Sequence, residues 1–156
     1  MKRPSLDEYY LNIARAVSER STCLKKHYGC VVVKNGEILS TGYNGNVRGE
    51  GHCGYCTKAP GNGDMEEYSH CEAVHAEMNA LLSASRREML GADLYLAGYD
   101  VKRGGRTEFE CEAWPCEICL RLIKNAGIER IINNRGVIYM RSIDGVLTKV
   151  QNKETN

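Results

Sequence analysis

An α/β fold, with helices layered on both faces of a mixed sheet, is what this sequence predicts, and three observations carry it. Strand-like and helix-like segments alternate across the middle of the chain. The length of 156 residues suits one compact domain around a single core. A hydrophobic fraction of 42% and a charged fraction of 26% are ordinary for a globular protein. No internal repeat or linker interrupts the chain, so residues 1–156 read as one domain.

The elements follow in order. Ser5-Leu6-Asp7-Glu8 reads as a capping box, and Leu6, Tyr9, Tyr10, Ile13, Ala16 and Val17 recur at helical spacing, predicting a first helix that ends near Arg20. Cys30 to Val33 reads as a buried strand, Asn35-Gly36 as a tight hairpin turn, and Ile38 to Thr41 as the partner strand. Residues 42–70 lack periodicity. A loop of that length inside a compact domain needs something to tie it down, and its cysteines and histidines suggest what does so.

A helix is expected from His75 to about Arg87, with Ala76, Ala80, Leu81 and Ala84 as its packing face, and a short strand at Leu94 to Leu96. Residues 98–114 form a second irregular stretch, rich in Gly, Arg and Glu, with room for a hairpin around Arg103 to Arg106. Pro115 suits the first turn of the next helix, where its missing N–H costs nothing, and Gly127 suits its stop. Ile128 to Ile132 reads as a strand. Val137 to Met140 and Val146 to Val150, around Asp144-Gly145, read as an added edge hairpin before a frayed end.

Charge and composition narrow the function. A net charge of +1 gives no global field to draw the protein to nucleic acid or an anionic membrane. The basic N-terminus lacks the apolar stretch of a secretory signal, and no segment is long and apolar enough to span a bilayer. The eight cysteines are therefore read as reduced thiols that hold metal in a cytosolic protein.

His75-Ala76-Glu77 and, downstream, Pro115-Cys116-Glu117-Ile118-Cys119 supply one imidazole, two thiols and a spare carboxylate. Catalytic zinc takes three protein ligands and keeps its fourth position for water, whereas structural zinc takes four. Both segments fall at expected helix starts, where partial positive charge favours thiolate. Cys116 and Cys119 lie about one helical turn apart and point the same way. Glu77, two residues past His75, is placed to shuttle protons without ligating the metal.

That pattern resembles the zinc deaminases that act on nucleobases. With Arg20-Ser21-Thr22-Cys23, Thr41-Gly42-Tyr43-Asn44-Gly45, Gly51-His52-Cys53 and the run from His75 to Ala80, the chain resembles the deoxycytidylate (dCMP) deaminase branch of the cytidine deaminase superfamily. The resemblance covers most of residues 5–133. It implies a three-layer α/β/α fold, zinc-dependent hydrolysis of the cytosine amine of a small nucleotide, conversion of dCMP to dUMP with release of ammonia, and commonly a homo-hexamer. By position it places Asn44 at the sugar, Gly45, Asn46 and Arg48 on the loop that handles phosphate, and Asn79 on the phosphate side; Arg86 falls where some members read a nucleoside triphosphate. Turn formation alone would also account for Asn44-Gly45.

Cys23, Cys53, Cys56 and Cys71 remain once the catalytic set is assigned. They are expected to hold a second, structural zinc that pins the long loop to the first helix, with His52 or His70 able to replace one thiol. The resemblance supports Cys23 and Cys53. Cys30 reads as a core residue and Cys111 has no assigned role. The insertion at 98–114, which ends in Trp114, departs from the family pattern, and it opens substrate choice to another small cytosine or purine compound. Trp114 suits either the base pocket or the core. Lys102, Arg103 and Arg106 are followed by Glu108, Glu110 and Glu112, which argues against a polynucleotide track. A zinc-stabilised binding module without catalysis is the alternative from a different class; Glu77 argues against it.

Overall fold

The structure, a computed structural model, describes residues 2–56, 71–101 and 107–150, the side chains of 107–109 excepted. Ser5 caps α1 (Leu6–Ser18) by accepting the Glu8 N–H. Strands β1 (Lys26–Lys34) and β2 (Glu37–Tyr43) form an antiparallel hairpin, longer than the apolar run alone suggested. At its turn Asn35 and Gly36 both take positive φ, 52° and 81°, as the expected tight hairpin requires.

The helix expected from His75 to Arg87 is two helices, α2 (Ala76–Leu82) and α3 (Arg86–Met89). Ser85 breaks the run. Its side chain accepts the Glu88 N–H and Glu88 bonds back to the Ser85 N–H, a complete capping box that restarts the chain in a new direction. Next, β3 (Asp93–Val101) extends well beyond Leu96 and turns back into β4 (Thr107–Cys111), so much of the irregular insertion is a β-hairpin. Pro115 lies outside the next helix, α4 (Glu117–Ala126). Cys116 is its N-cap, and Gly127 ends it at φ 81° as expected. Strands β5 (Arg130–Asn133), β6 (Gly136–Arg141) and β7 (Leu147–Lys149) complete the chain, and the last two form the expected edge hairpin.

The described strands make one seven-stranded sheet in the order β2-β1-β3-β5-β6-β7. β5 runs parallel along Asp93 to Tyr95 of β3, while β4 pairs antiparallel with β3 from Gly98 onward. The sheet is therefore mixed. Alternation along each strand sends Val31, Val33, Tyr95, Ala97 and Ile132 against Tyr10, Leu11 and Ala14 of α1. Cys30, Val32, Leu94, Leu96 and Ile131 pack on the other face against Ala76, Ala80, Cys119 and Ile123 of α2 and α4. The result is the predicted α/β/α layering. Gly42 sets how closely the second layer approaches: a Cβ there would sit 2.3 Å from the Ala76 carbonyl oxygen, so only glycine lets α2 lie this near β2. Among the described residues, no helix is long and apolar enough to cross a membrane.

Candidate active site

Two helix starts meet above the sheet. His75 is the N-cap of α2, Cys116 is the N-cap of α4, and Cys119 lies one turn into α4. The His75 Nδ1 atom is 3.5 Å from Cys116 Sγ and 3.4 Å from Cys119 Sγ. All three donor atoms lie within 4.8 Å of one another, and among the described residues this is the one such group. A tetrahedral zinc with Zn–S bonds of about 2.3 Å and Zn–N bonds of about 2.0 Å has S···N edges of about 3.5 Å, so the donors fit that ion. Cys116 also caps its own helix, accepting the Cys119 N–H at 3.4 Å. Helix capping and metal ligation thus fix the same sulfur.

Glu77, on the first turn of α2, is 4% exposed and supplies none of the three donors. Burial pushes its carboxyl up to about 7, partly offset by its own backbone N–H and by the Cys119 thiol. With no ion in the site, a group with that affinity exchanges its proton near neutral pH, the range a general acid–base uses. Burial, then the neighbouring Glu77 and Cys116, pushes the Cys119 thiol up as well. Thiolate there calls for compensating positive charge, which a divalent ion provides.

These groups open into a cleft of about 310 Å³. His75, Glu77 and Cys116 form its floor and Trp114 contributes a wall; Tyr28 and Asn44 line it too. Lys25 and Lys26 also line it, and the Lys26 ammonium pairs with Asp100 at 3.4 Å. Sequence reasoning did not single out Lys25, Lys26 or Tyr28. A Lys-Lys pair two residues after Cys23 was the available signal for the first two; Tyr28 gave none, since its placement depends on sheet register.

The description "Cytidine and deoxycytidylate deaminase zinc-binding region" matches residues 4–134. The chain belongs to that family. The deoxycytidylate deaminase of Mycobacterium phage D29 is 38% identical over 138 residues, covering 85% of this chain and 96% of its own. That of Schizosaccharomyces pombe is 34% identical over 135 residues, 83% of this chain but 37% of the longer yeast protein. The dCMP deaminase of cyanophage S-TIM5, solved in complex with dCMP and dUMP, superposes with a TM-score of 0.59 at 26% identity, covering 85% of this chain and 83% of that one.

The remaining expected residues of this deaminase-family chain fall into three groups. Asn44 is 6% exposed; its Oδ1 accepts from Ser21 Oγ at 2.6 Å and from the Tyr28 N–H at 2.7 Å, while its Nδ2 donates to the Lys26 carbonyl at 2.8 Å. It therefore stitches the α1–β1 loop to the end of β2 while facing the cleft. Gly45, Asn46, Arg48 and Asn79 line a neighbouring cleft of about 330 Å³ with Arg20 and Thr22, separate from the floor that holds His75. Asn79 donates to the Tyr43 carbonyl at 2.8 Å, and Gly45 bridges Val74 just before His75. Arg86 has a structural partner, donating to the Asn125 carbonyl at 2.8 Å near the end of α4.

The loop cysteines are not gathered as a donor set among the described residues. Cys23, Cys56 and Cys71 line the reaction cleft, whereas the Cys53 thiol donates to Asn46 Oδ1 at 3.2 Å. His70 lies outside the described residues. Cys30 is fully buried in the core, as expected. Cys111, at the end of β4, sits opposite Gly98 of β3. Trp114 lines the cleft and also packs against the core, as one of its two expectations had it.

Proposed function

We propose that this protein hydrolyses the amine of deoxycytidylate, giving deoxyuridylate and ammonia. One observation carries the reading: a buried carboxylate, Glu77, lies beside a three-donor metal set at the floor of a cleft without belonging to that set. Family membership and the relatives named above support the substrate. His75, Cys116 and Cys119 hold the ion. Zinc in that position supplies Lewis acidity, lowering the pKa of a water toward about 7.

Glu77 does the proton work. Its carboxylate takes a proton from water as the oxygen attacks the amine-bearing ring carbon, and hands it to the adjacent ring nitrogen. A second transfer through the same carboxyl protonates the departing amine, so one water is consumed and one ammonia leaves. The Asn44 amide uses one of its two N–H groups internally and keeps the other for a sugar hydroxyl. Gly45, Asn46, Arg48 and Asn79, in the adjoining cleft, form the phosphate-side loop of this reading.

A second, structural zinc on Cys23, Cys53, Cys56 and Cys71 belongs to the same proposal. It is supported by three of the four thiols sharing one cleft, and it requires Cys53 to exchange Asn46 for the ion. The assembly is a homo-oligomer. Leu82 on α2 and Ile118 and Leu122 on α4 are exposed at 81%, 59% and 43%, an apolar face better covered by another copy than by water. Thiolate ligation suits a reducing compartment, and the cytosol is the proposed location.

Ammonia release from dCMP, CMP, deoxycytidine, cytosine and guanine tests the reading. Turnover is expected with dCMP, weaker with CMP and weakest without phosphate. A preference for cytosine or guanine over dCMP would replace the nucleotide assignment, and no release from any of them would remove the enzyme.

A further inference from the structure

The short segment Glu112-Ala113-Trp114 leads from the β3–β4 hairpin into the cysteine motif, and contacts from the last three strands and the β5–β6 turn hold it at every residue. Asn133 Nδ2 donates to the Ala113 carbonyl at 2.8 Å, a buried bond at the end of β5. Arg135 pairs with Glu112 at 2.9 Å. Tyr139 on β6 meets the Trp114 ring edge-on with centroids 6.4 Å apart, and Lys149 on β7 places its Nζ 4.5 Å from the indole centroid. Both distances fall in the attractive ranges for aromatic and cation–π pairs. Arg141 also ties this hairpin to α4, donating to the Lys124 carbonyl in its last turn and to the Ile128 carbonyl just beyond it.

Trp114 lines the reaction cleft beside His75, Glu77 and Cys116, whereas neither Tyr139 nor Lys149 lines it. They stand behind the wall. Tyr139 and Lys149 also lie beyond residue 134, where the family match ends. We propose that Trp114 is the cleft wall on which the pyrimidine ring of the substrate lies, and that the β6–β7 hairpin positions it through Tyr139 and Lys149. The proposal rests on the deaminase reading above and adds a specificity-determining residue and two positioning residues to it. A flat indole held from behind gives a six-membered heterocycle a stacking surface at little entropic cost, because the ring is already ordered before substrate arrives.

Trp114 is the sole tryptophan, so indole emission, excited selectively away from the nine tyrosines, reports on this wall alone. In zinc-loaded Glu77→Gln protein, which binds without turnover, saturating dCMP is expected to quench that emission. In the otherwise unaltered enzyme, Trp114→Ala is expected to raise KM for dCMP about tenfold or more. Lys149→Met, at an exposed position that leaves the fold intact, is expected to raise KM about two- to fivefold with kcat held. Lys149→Arg restores it, and Tyr139→Leu behaves like Lys149→Met. Emission that ignores dCMP, or a Lys149→Met enzyme with the parent's KM, overturns the wall while leaving the deaminase reading intact. An unaltered zinc-loaded enzyme that releases no ammonia from dCMP overturns that reading instead, and this inference with it.

Discussion

The helix-borne donors His75, Cys116 and Cys119 and the loop-borne thiols Cys23, Cys53, Cys56 and Cys71 use the same ligand chemistry under opposite constraints. The first set stands at the starts of two helices whose other faces are locked into the core by Ala76, Ala80 and Ile123. Its donor atoms reach metal-binding separations from packing alone. In the second set the Cys53 thiol donates to Asn46. One site is preorganised by the fold; the proposed loop site would have to be assembled by its ion. Catalysis needs the former, because an open coordination position survives only if the protein fixes the other three. A structural ion can organise its own ligands and contribute that binding energy to folding.

Removing a donor from the preorganised set gives the largest effect. Cys119→Ser is expected to reduce turnover to background and to lower bound zinc by one equivalent per chain, measured by metal analysis. Circular dichroism should stay native, because the core holds without the ion. Loss of the fold would show that this site is assembled by zinc after all.

Glu77→Gln comes next. It should lower kcat by roughly 10²–10⁴-fold while zinc content stays unchanged. Retained turnover would remove Glu77 as the shuttle, and lost zinc would make it a ligand.

Cys53→Ser addresses the other set. The proposal expects two zinc ions per chain in the parent and one in the variant, with a lower thermal midpoint and turnover kept within a fewfold. One ion in the parent would remove the loop site.

The smallest effect concerns stability. In metal-stripped protein the raised Glu77 affinity makes the buried charge unfavourable, so folding stability falls as pH rises from about 4.5 to about 7 and then levels off. Glu77→Gln lacks that loss. Its stability advantage should therefore be small near pH 4 and reach on the order of 3 kcal/mol above pH 7, by denaturant titration. A constant difference across that range would mean the carboxylate is hydrated in the stripped site.

Legibility in the sequence followed the range of the interaction that decides each feature. Ser5, Asn35-Gly36 and Gly127 act on neighbours a few residues away, and the structure places a cap, a hairpin turn and a helix end there. Pro115 was read one step too far: Cys116 takes the N-cap because its sulfur accepts the Cys119 N–H, leaving the proline outside. The helix break at Ser85 was also written locally, as Ser85 with Glu88, but the alanine-rich run around it masked the restart. Asn44 was read as a substrate contact, yet its three hydrogen bonds to Ser21, Tyr28 and Lys26 span segments that only folding brings together.

The sequence by itself determined the metal set, its spare acid and the alternation of strands and helices, because each depends on residue type and on spacings of a few positions. Tertiary structure alone decided that Trp114 faces the cleft with Tyr139 and Lys149 behind it, that Lys25, Lys26 and Tyr28 border the same space, and that Gly45, Asn46, Arg48 and Asn79 lie next door. Those placements are set by sheet register and layer packing, which join residues far apart in the chain. A single-residue change of register would turn the same side chains to the opposite face.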